Sequence, residues 1–427
     1  MRVAHWTFIA ANRSGMYETA KELCLAQRAL GLDCGLIDAF DPKTQQCDGD
    51  LKTETYHYAD GADLYVLHSH VPEPWMHDGT PIIVMLHGMP HYSWETELYM
   101  QEGGNQSPFS QLMAYFNDIE TIARFVTLWS PQLTTWDILD DYRGRTRFAP
   151  NGIDLGRYTP DGPKKSLAGN PKLLVADQAR MCKDPFFVVM GAEWFRAHHE
   201  PEARLTMVGM PPIGGGNRVR ERWEHLLENS GCKRVVAQRY GILPDLEKHY
   251  RDADILLSVT PDESRVYKEA IACGCDVVSP YLNTAQLTEE WLDLPHGDPA
   301  QSRDSELGRY MLPRAAGHLG AHALVERERT TPIWETINPV DAALVADQIA
   351  KTWEVRRRDP EGRRRLLAEF ARKRYDMRET AAGMIDIYAE VLRETGKLPI
   401  IGHPSPGEVH TVVPLMGGRA EPQAGLV

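Results

Sequence analysis

The sequence predicts an α/β fold assembled from two series of parallel βα units. Three observations predict it. The chain opens with an apolar run from Arg2 to Ala10, a small-residue turn over Ala11–Met16, a helix of period 3.6 over Tyr17–Leu30 and a second apolar run from Asp33 to Ile37. A second strand–turn–helix–strand unit spans Ile255 to Val278, with Pro261, Asp262 and Glu263 in its turn and Gly274 ending its helix. Between the two series lies a Gly-, Pro- and Lys-rich segment, Asp161–Asn170, of linker composition. In such folds the turn and helix start sit at the carboxyl edge of the sheet, where ligands bind.

The other elements follow in order. Ala62–His70, Pro81–Gly88 and Ala123–Trp129 have strand length and apolar content, and the second ends in polar and turn residues around His87. His68, His70 and His91 lie close to it in sequence. No H-E-x-x-H spacing or supporting carboxylate marks a metal site there. Lys172–Ala176, Arg204–Gly209 and Val235–Gln238 are the next strands, Arg218–Asn229 and Asp245–Arg251 the next helices. Pro211–Asn217 is a glycine run without the Gly-Lys-Ser/Thr of a P-loop. Residues 296–331 carry no readable period. Asp341–Trp353, Gly362–Tyr375 and Glu379–Glu394 are helical, the last amphipathic through Met384, Ile387, Tyr388 and Val391. Residues 401–427, rich in Gly and Pro, read as a loose tail.

Two stretches carry a family signature. Glu269-Ala-Ile-Ala-Cys-Gly-Cys-Asp-Val277 and Pro150-Asn-Gly-Ile-Asp…Tyr158-Thr-Pro160 resemble motifs of retaining GT-B glycosyltransferases, in particular glycosyltransferase family 4. The resemblance spans roughly residues 1–395. It implies two Rossmann-like domains facing each other across a cleft: an acceptor domain over 1–162, a nucleotide-sugar domain over 169–378, and a helix over 379–396 that crosses back to the first domain.

The resemblance also implies site residues. Glu269 holds the donor ribose, and Tyr240 lies in the segment beside the nucleobase. Lys183 matches a diphosphate-binding lysine, Arg180 is the cation nearest the family's arginine position, and Gly15 supplies a helix-start amide to the same anion. His87 sits near the reacting carbon. The family's first glutamate falls on Pro261 when counted without a gap and on Glu263 with a two-residue deletion; Asp262 is the neighbouring carboxylate. Where the family carries Gly-Gly after the last strand, this chain has Asn283-Thr284-Ala285-Gln286, whose backbone amides are left as the anion contact. The activity implied is sugar transfer from a nucleotide-diphosphate sugar to a hydroxyl with retention of configuration, without a metal or further cofactor. A nucleotide-sugar epimerase, a phosphorylase or a non-catalytic nucleotide-binding relative on the same fold are the alternatives.

Composition narrows the partners. A net charge of −13 disfavours non-specific adsorption to nucleic acid or anionic lipid. The basic cluster Arg356–Arg365 is interrupted and flanked by Glu354, Asp359, Glu361 and Glu369, so it reads as a helix behind the second domain rather than as a nucleic-acid site. No apolar run approaches the roughly 20 residues of a spanning helix, so stable membrane insertion is not expected. Seven cysteines, an odd number without metal-ligand spacing, read as reduced buried thiols and point to a cytoplasmic protein. The acceptor is open: a glycan, a small molecule or a modified nucleobase.

Overall fold

The computed structural model describes residues 1–7, 15–38, 47–48, 51–52, 61–68, 79–87, 124–127, 146–177, 186–209, 225, 227–258, 264–279, 282–293 and 339–396. Pro211–Asn217, residues 296–331 and the 401–427 tail lie outside them.

Two parallel sheets organise the chain. The first has the order β2-β1-β5-β6-β7-β8, from β1 (Arg2–Thr7), β2 (Asp33–Asp38), β5 (Leu64–His68), β6 (Ile82–Leu86), β7 (Arg124–Thr127) and β8 (Thr146–Phe148). A small antiparallel ladder of β3 (Cys47–Asp48) and β4 (Leu51–Lys52) stands apart. The second sheet runs β11-β10-β9-β12-β13, from β9 (Lys172–Val175), β10 (Arg204–Val208), β11 (Val236–Tyr240), β12 (Ile255–Leu257) and β13 (Asp276–Val278). The central strands β5, β6 and β12 are buried along their whole length, as strands covered on both faces must be.

Helix α1 (Gly15–Ala29) begins at the predicted turn and lays Tyr17, Ala20, Leu23 and Cys24 against the first sheet. In the second half come α2 (Phe186–His198), α3 (Leu246–Asp252), α4 (Arg265–Ala272), α5 (Pro339–Arg358) and α6 (Pro360–Arg374). The last helix, α7 (Met377–Glu394), follows the second sheet in sequence yet packs on the first. Met377, Ala381, Met384, Tyr388 and Val391 share one stripe, and that stripe joins Val3, Val66 and Met85 in the first core.

The Pro150–Asp154 segment holds this return in place. Ile153 N–H donates to Tyr375 O at 2.8 Å, and Met377 N–H to Ile153 O at 3.2 Å. Buried Lys268 donates to Asn151 O at 2.7 Å. Asp154 N–H donates to Glu22 at 2.9 Å. Gly152 is required by close approach, since a Cβ there would lie 2.5 Å from Met377 Cα. In the folded chain this motif ties the outgoing connection to the returning one.

A second node sits behind β13. The family pattern has proline where this chain has Asp276. Its N–H donates to Asp254 O at 3.0 Å, a bond proline cannot make. Its fully buried carboxylate takes Arg356 Nη1 at 3.0 Å, Arg363 Nε at 2.9 Å and Thr284 Oγ1 at 2.7 Å. Arg356 and Arg363 of the basic cluster are thus held inside the protein. Arg364 caps Arg251 O at 2.9 Å, and the exposed Arg357 and Arg358 pair with Glu200 and Glu354.

One expectation is corrected here. The amides of 285–287 do not present themselves to an anion. Ala285 N–H is taken by the Asn283 side chain at 2.9 Å, Gln286 N–H by Asn283 O and Leu287 N–H by Thr284 O, within a single 3₁₀ turn. Without the two glycines the backbone closes on itself.

Removing the buried carboxylate at position 276 leaves two buried guanidinium groups without their shared partner. Asp276→Ala is expected to lose about 3–5 kcal/mol of stability, read as a lower urea midpoint. An unchanged midpoint would contradict the node.

Candidate active site

The two halves meet between the starts of α1 and α4. Ser264 is extended and α4 begins at Arg265, so the Arg265 side chain projects from the first turn towards α1. Its Nε donates to Glu269 Oε1 at 2.7 Å, one helical turn on, and Nη2 to Glu22 of α1. Nη1 donates to Thr19 Oγ1 at 3.1 Å. Tyr250 OH donates to the other Glu269 oxygen at 3.2 Å. A Cβ built on Gly15, the first residue of α1, would meet Arg265 Cδ at 3.9 Å, so the guanidinium stem lies against the helix start.

Burial lowers the affinity of Arg265 for its proton, but Glu22 and Glu269 more than offset it and hold the group well above its ordinary value. Burial also pushes the Glu22 carboxyl up, against the pull of Arg265. A second arginine repeats the arrangement beside the first. Arg157 reaches Glu247 at 3.2 Å, Pro244 O at 2.8 Å and Glu18 at 3.5 Å, and lies over the Tyr158 ring. Positions 15, 18, 19 and 22 therefore form the polar face of α1, opposite the stripe that packs on the sheet.

Three histidines line up on the sheet beneath this cluster. His68 Nδ1 is 2.7 Å from His87 Nε2, and His5 Nδ1 is 2.9 Å from His68 Nε2. His5 Nε2 is 2.8 Å from Gln27 Oε1, and Gln27 Nε2 donates to Tyr388 OH at 2.9 Å. The ring nitrogens pair in sequence rather than converging on one centre. Burial drives His5 down to about 4. Burial, with the nearby Arg265 charge, drives His87 to about 3. His68 is held well below the ordinary value by burial and by the histidines on either side. All three are neutral at physiological pH.

Of the residues expected at the site, Gly15, Glu269 and His87 are brought to one locality around Arg265. Tyr240 ends β11, and its ring packs on His249 at 5.4 Å and under Lys165 Nζ at 5.9 Å rather than on that cluster. Arg180, Lys183, Asp262 and Glu263 lie outside the described residues, as do His70 and His91. Sequence reasoning missed Arg265, Glu22 and Tyr250. The Arg265–Glu269 spacing of four on a helix was a readable signal. Glu22 offered only its place on the polar face of α1, because its partner comes from the other half of the chain.

No protein-family sequence profile matches the chain, and no curated protein sequence matches it. Solved structures do. The pneumococcal O-GlcNAc transferase in complex with UDP and GlcNAc aligns over 92% of this chain and 99% of its own, with a TM-score of 0.56 and 11% identity. Sucrose-phosphate synthase from Thermosynechococcus elongatus aligns over 92% and 100%, with a TM-score of 0.54 and 15% identity. The catalytic domain of starch synthase IV from Arabidopsis thaliana, bound to ADP and acarbose, aligns over 92% and 99%, with a TM-score of 0.51 and 10% identity. The chain has the GT-B fold. Arg265 and its carboxylates thus stand between the two GT-B domains, and His87 ends a first-domain strand on the side facing them. Among the described residues no helix is long and apolar enough to cross a membrane.

The histidine row sets a pH dependence. Unfolded, each takes up a proton near pH 6.5; folded, each resists it. Their stabilising contribution is present above about pH 6.5 and is lost as pH falls towards the folded values, about 4 for His5 and about 3 for His87. Glu22 has the opposite sign, since a raised carboxyl contributes at acid pH and loses that contribution as pH rises through its folded value. Three groups outweigh one. Between pH 7.5 and 5 the unfolding free energy should fall with pH, each histidine's share approaching about 1.4 kcal/mol per pH unit. Urea titrations at half-unit steps would show this, with a flatter profile for His68→Asn; a stability that is level or rises on acidification would contradict it.

Proposed function

We propose that the protein is a glycosyltransferase that moves a sugar from a nucleotide-diphosphate donor to an acceptor hydroxyl with retention of anomeric configuration. The observation that supports this most is the convergence of a helix start (Gly15), a guanidinium (Arg265), a carboxylate (Glu269) and a neutral strand-end histidine (His87) between two GT-B domains. UDP accompanies the O-GlcNAc transferase and ADP the starch synthase, so nucleoside diphosphates occur with this fold in both.

Each group has a part. A carboxylate offers about four acceptor positions. Arg265 and Tyr250 use one on each Glu269 oxygen, and the others suit the two ribose hydroxyls. The α1 N-terminus gives a positive field for the diphosphate, to which Arg180 and Lys183 add. That field stabilises the departing phosphate as the glycosidic bond breaks. His87 holds the sugar beside the reacting carbon, and a carboxylate at Glu263 or Asp262 contacts it from the second domain. Residues 1–162 take the acceptor and residues 169–378 the donor, Tyr240 lying beside the base. Rate enhancement then comes from positioning and charge stabilisation.

A thermal-shift screen of nucleoside diphosphates tests the donor half of this. One base should raise the melting temperature by several degrees at saturating concentration. Glu269→Gln removes a charged acceptor worth about 1.5–3 kcal/mol, so its affinity for that nucleotide should fall roughly ten- to a hundredfold. The matching donor sugars, incubated with glycan and small-molecule acceptors, should then release the diphosphate and give a product of unchanged anomeric configuration by NMR. Donor turnover without any acceptor would favour an epimerase, dependence on inorganic phosphate a phosphorylase, and binding without turnover a non-catalytic protein.

A further inference from the structure

Two arginines join the halves of the chain in the same way. Arg265 of α4 takes Glu22 of α1 on one side and Glu269 of its own helix on the other. Arg157, in the connection, takes Glu18 of α1 at 3.5 Å and Glu247 of α3 at 3.2 Å. Each guanidinium therefore bridges one carboxylate of the first half and one of the second. A guanidinium presents its N–H donors in a fixed fork, so it serves two carboxylates only when they stand at a set separation. Both guanidiniums lie over a single buried ring, Tyr158, at 5.1 Å for Arg157 and 5.9 Å for Arg265. Arg157 precedes the second domain in sequence but is fastened to it. Arg251 of α3 donates to the carbonyl oxygens of Arg157 at 2.6 Å, Thr159 at 2.8 Å and Pro163 at 3.4 Å.

The α1 side is ordered to match. Glu18 and Glu22 are four residues apart and share a face of the helix. Like charges at that spacing disfavour a helix standing alone; in this placement each meets an arginine. Glu22 also accepts Asp154 N–H at 2.9 Å, and Asp154 O accepts Tyr158 N–H at 2.9 Å. These contacts close a ring through α1, the connection and α4. Arg265 reaches the helix start as well: Thr19 Oγ1, which accepts from Arg265 Nη1, donates to Gly15 O at 2.9 Å. One hydroxyl thus links the guanidinium to the first residue of α1.

We propose that Glu18 and Glu22 are positioning residues for the donor: with Arg157 and Arg265 as struts, they hold the first turn of α1 against the second domain, so that a nucleoside diphosphate is bound by both domains at once. The strut arrangement stands on the contacts alone; the diphosphate rests on the glycosyltransferase reading above. Arg265 has its charge taken by two carboxylates, so it acts here by placing α1 and not by attracting phosphate. The ribose end is held separately. Glu269 keeps Arg265 and Tyr250 from within its own domain, and loss of Glu22 leaves those contacts in place. The struts therefore matter to the phosphates and not to the nucleoside.

Glu22→Gln keeps the size of the side chain and can still accept Asp154 N–H, but it removes the charge that Arg265 meets across the boundary. Calorimetric titrations with UDP, ADP, GDP, CDP and dTDP identify the diphosphate that the wild type binds. For that diphosphate Glu22→Gln should raise Kd at least about tenfold, while affinity for the matching nucleoside, read by ligand-observed NMR, changes less than about twofold. Glu18→Gln, at the longer and more exposed bridge, should raise the diphosphate Kd about threefold, and it carries the test if Glu22→Gln does not fold. Without ligand, small-angle X-ray scattering should give the double variant a larger radius of gyration than the wild type at equal helix content by circular dichroism. Folded variants with wild-type scattering overturn the proposal, as does a loss of affinity shared equally by the nucleoside. If the wild type binds none of the five diphosphates, the glycosyltransferase reading fails, and the scattering difference alone decides whether the struts hold the domains.

Discussion

The guanidinium of Arg265 is the interaction on which the arrangement between the domains depends. A buried arginine costs several kcal/mol to desolvate unless its hydrogen bonds are taken by partners of opposite charge. Here Glu269 satisfies one edge from within the same helix and Glu22 another from across the domain boundary. The second contact forms only when the two halves are at this separation. The ion cluster therefore couples the chemistry of the site to the relative placement of α1 and α4. Arg157, held by Glu18 and Glu247, reinforces the same placement from the linker side.

Around this contact the protein uses backbone hydrogen bonds where rigidity is needed and buried charge where elements of distant sequence must be joined. The Ile153–Tyr375 and Met377–Ile153 bonds fix the point where the connection leaves the first domain and the last helix returns to it. Asp276 fixes α5 and α6 behind the second sheet through Arg356 and Arg363. Both nodes lie in or beside the two stretches that resemble family signatures. Part of what the Pro150–Pro160 signature encodes is thus architecture, a glycine that lets Met377 approach, whereas Asp276, which anchors two helices, is this chain's own departure from the other signature. Glu269 is the helix-internal ion-pair partner of Arg265.

The histidine row is a different solution to burying polar groups. Neutral imidazoles satisfy one another in series, at the cost of holding each far from its usual protonation equilibrium. Fully satisfied buried networks of this kind specify one geometry.

The sequence by itself determined the α/β class, the amphipathic last helix and most of the strands between Arg2 and Val278 to within a few residues, β3, β4 and β8 going unread. Those features depend on local period and on turn chemistry, which a linear reading captures. Legible in principle but unread was Arg265, four residues before Glu269. Only the tertiary structure decided that Glu22 pairs with Arg265, that Arg356 and Arg363 share the buried Asp276 carboxylate, that the amides of 285–287 are consumed in their own turn, and that His5, His68 and His87 stand in one row. Each of these joins residues from separate elements, or depends on strand order and register in a sheet. Hydrophobic spacing fixes which face of a strand is buried, but not which strand lies beside it, and it is that neighbour that gives a buried charge or imidazole its partner.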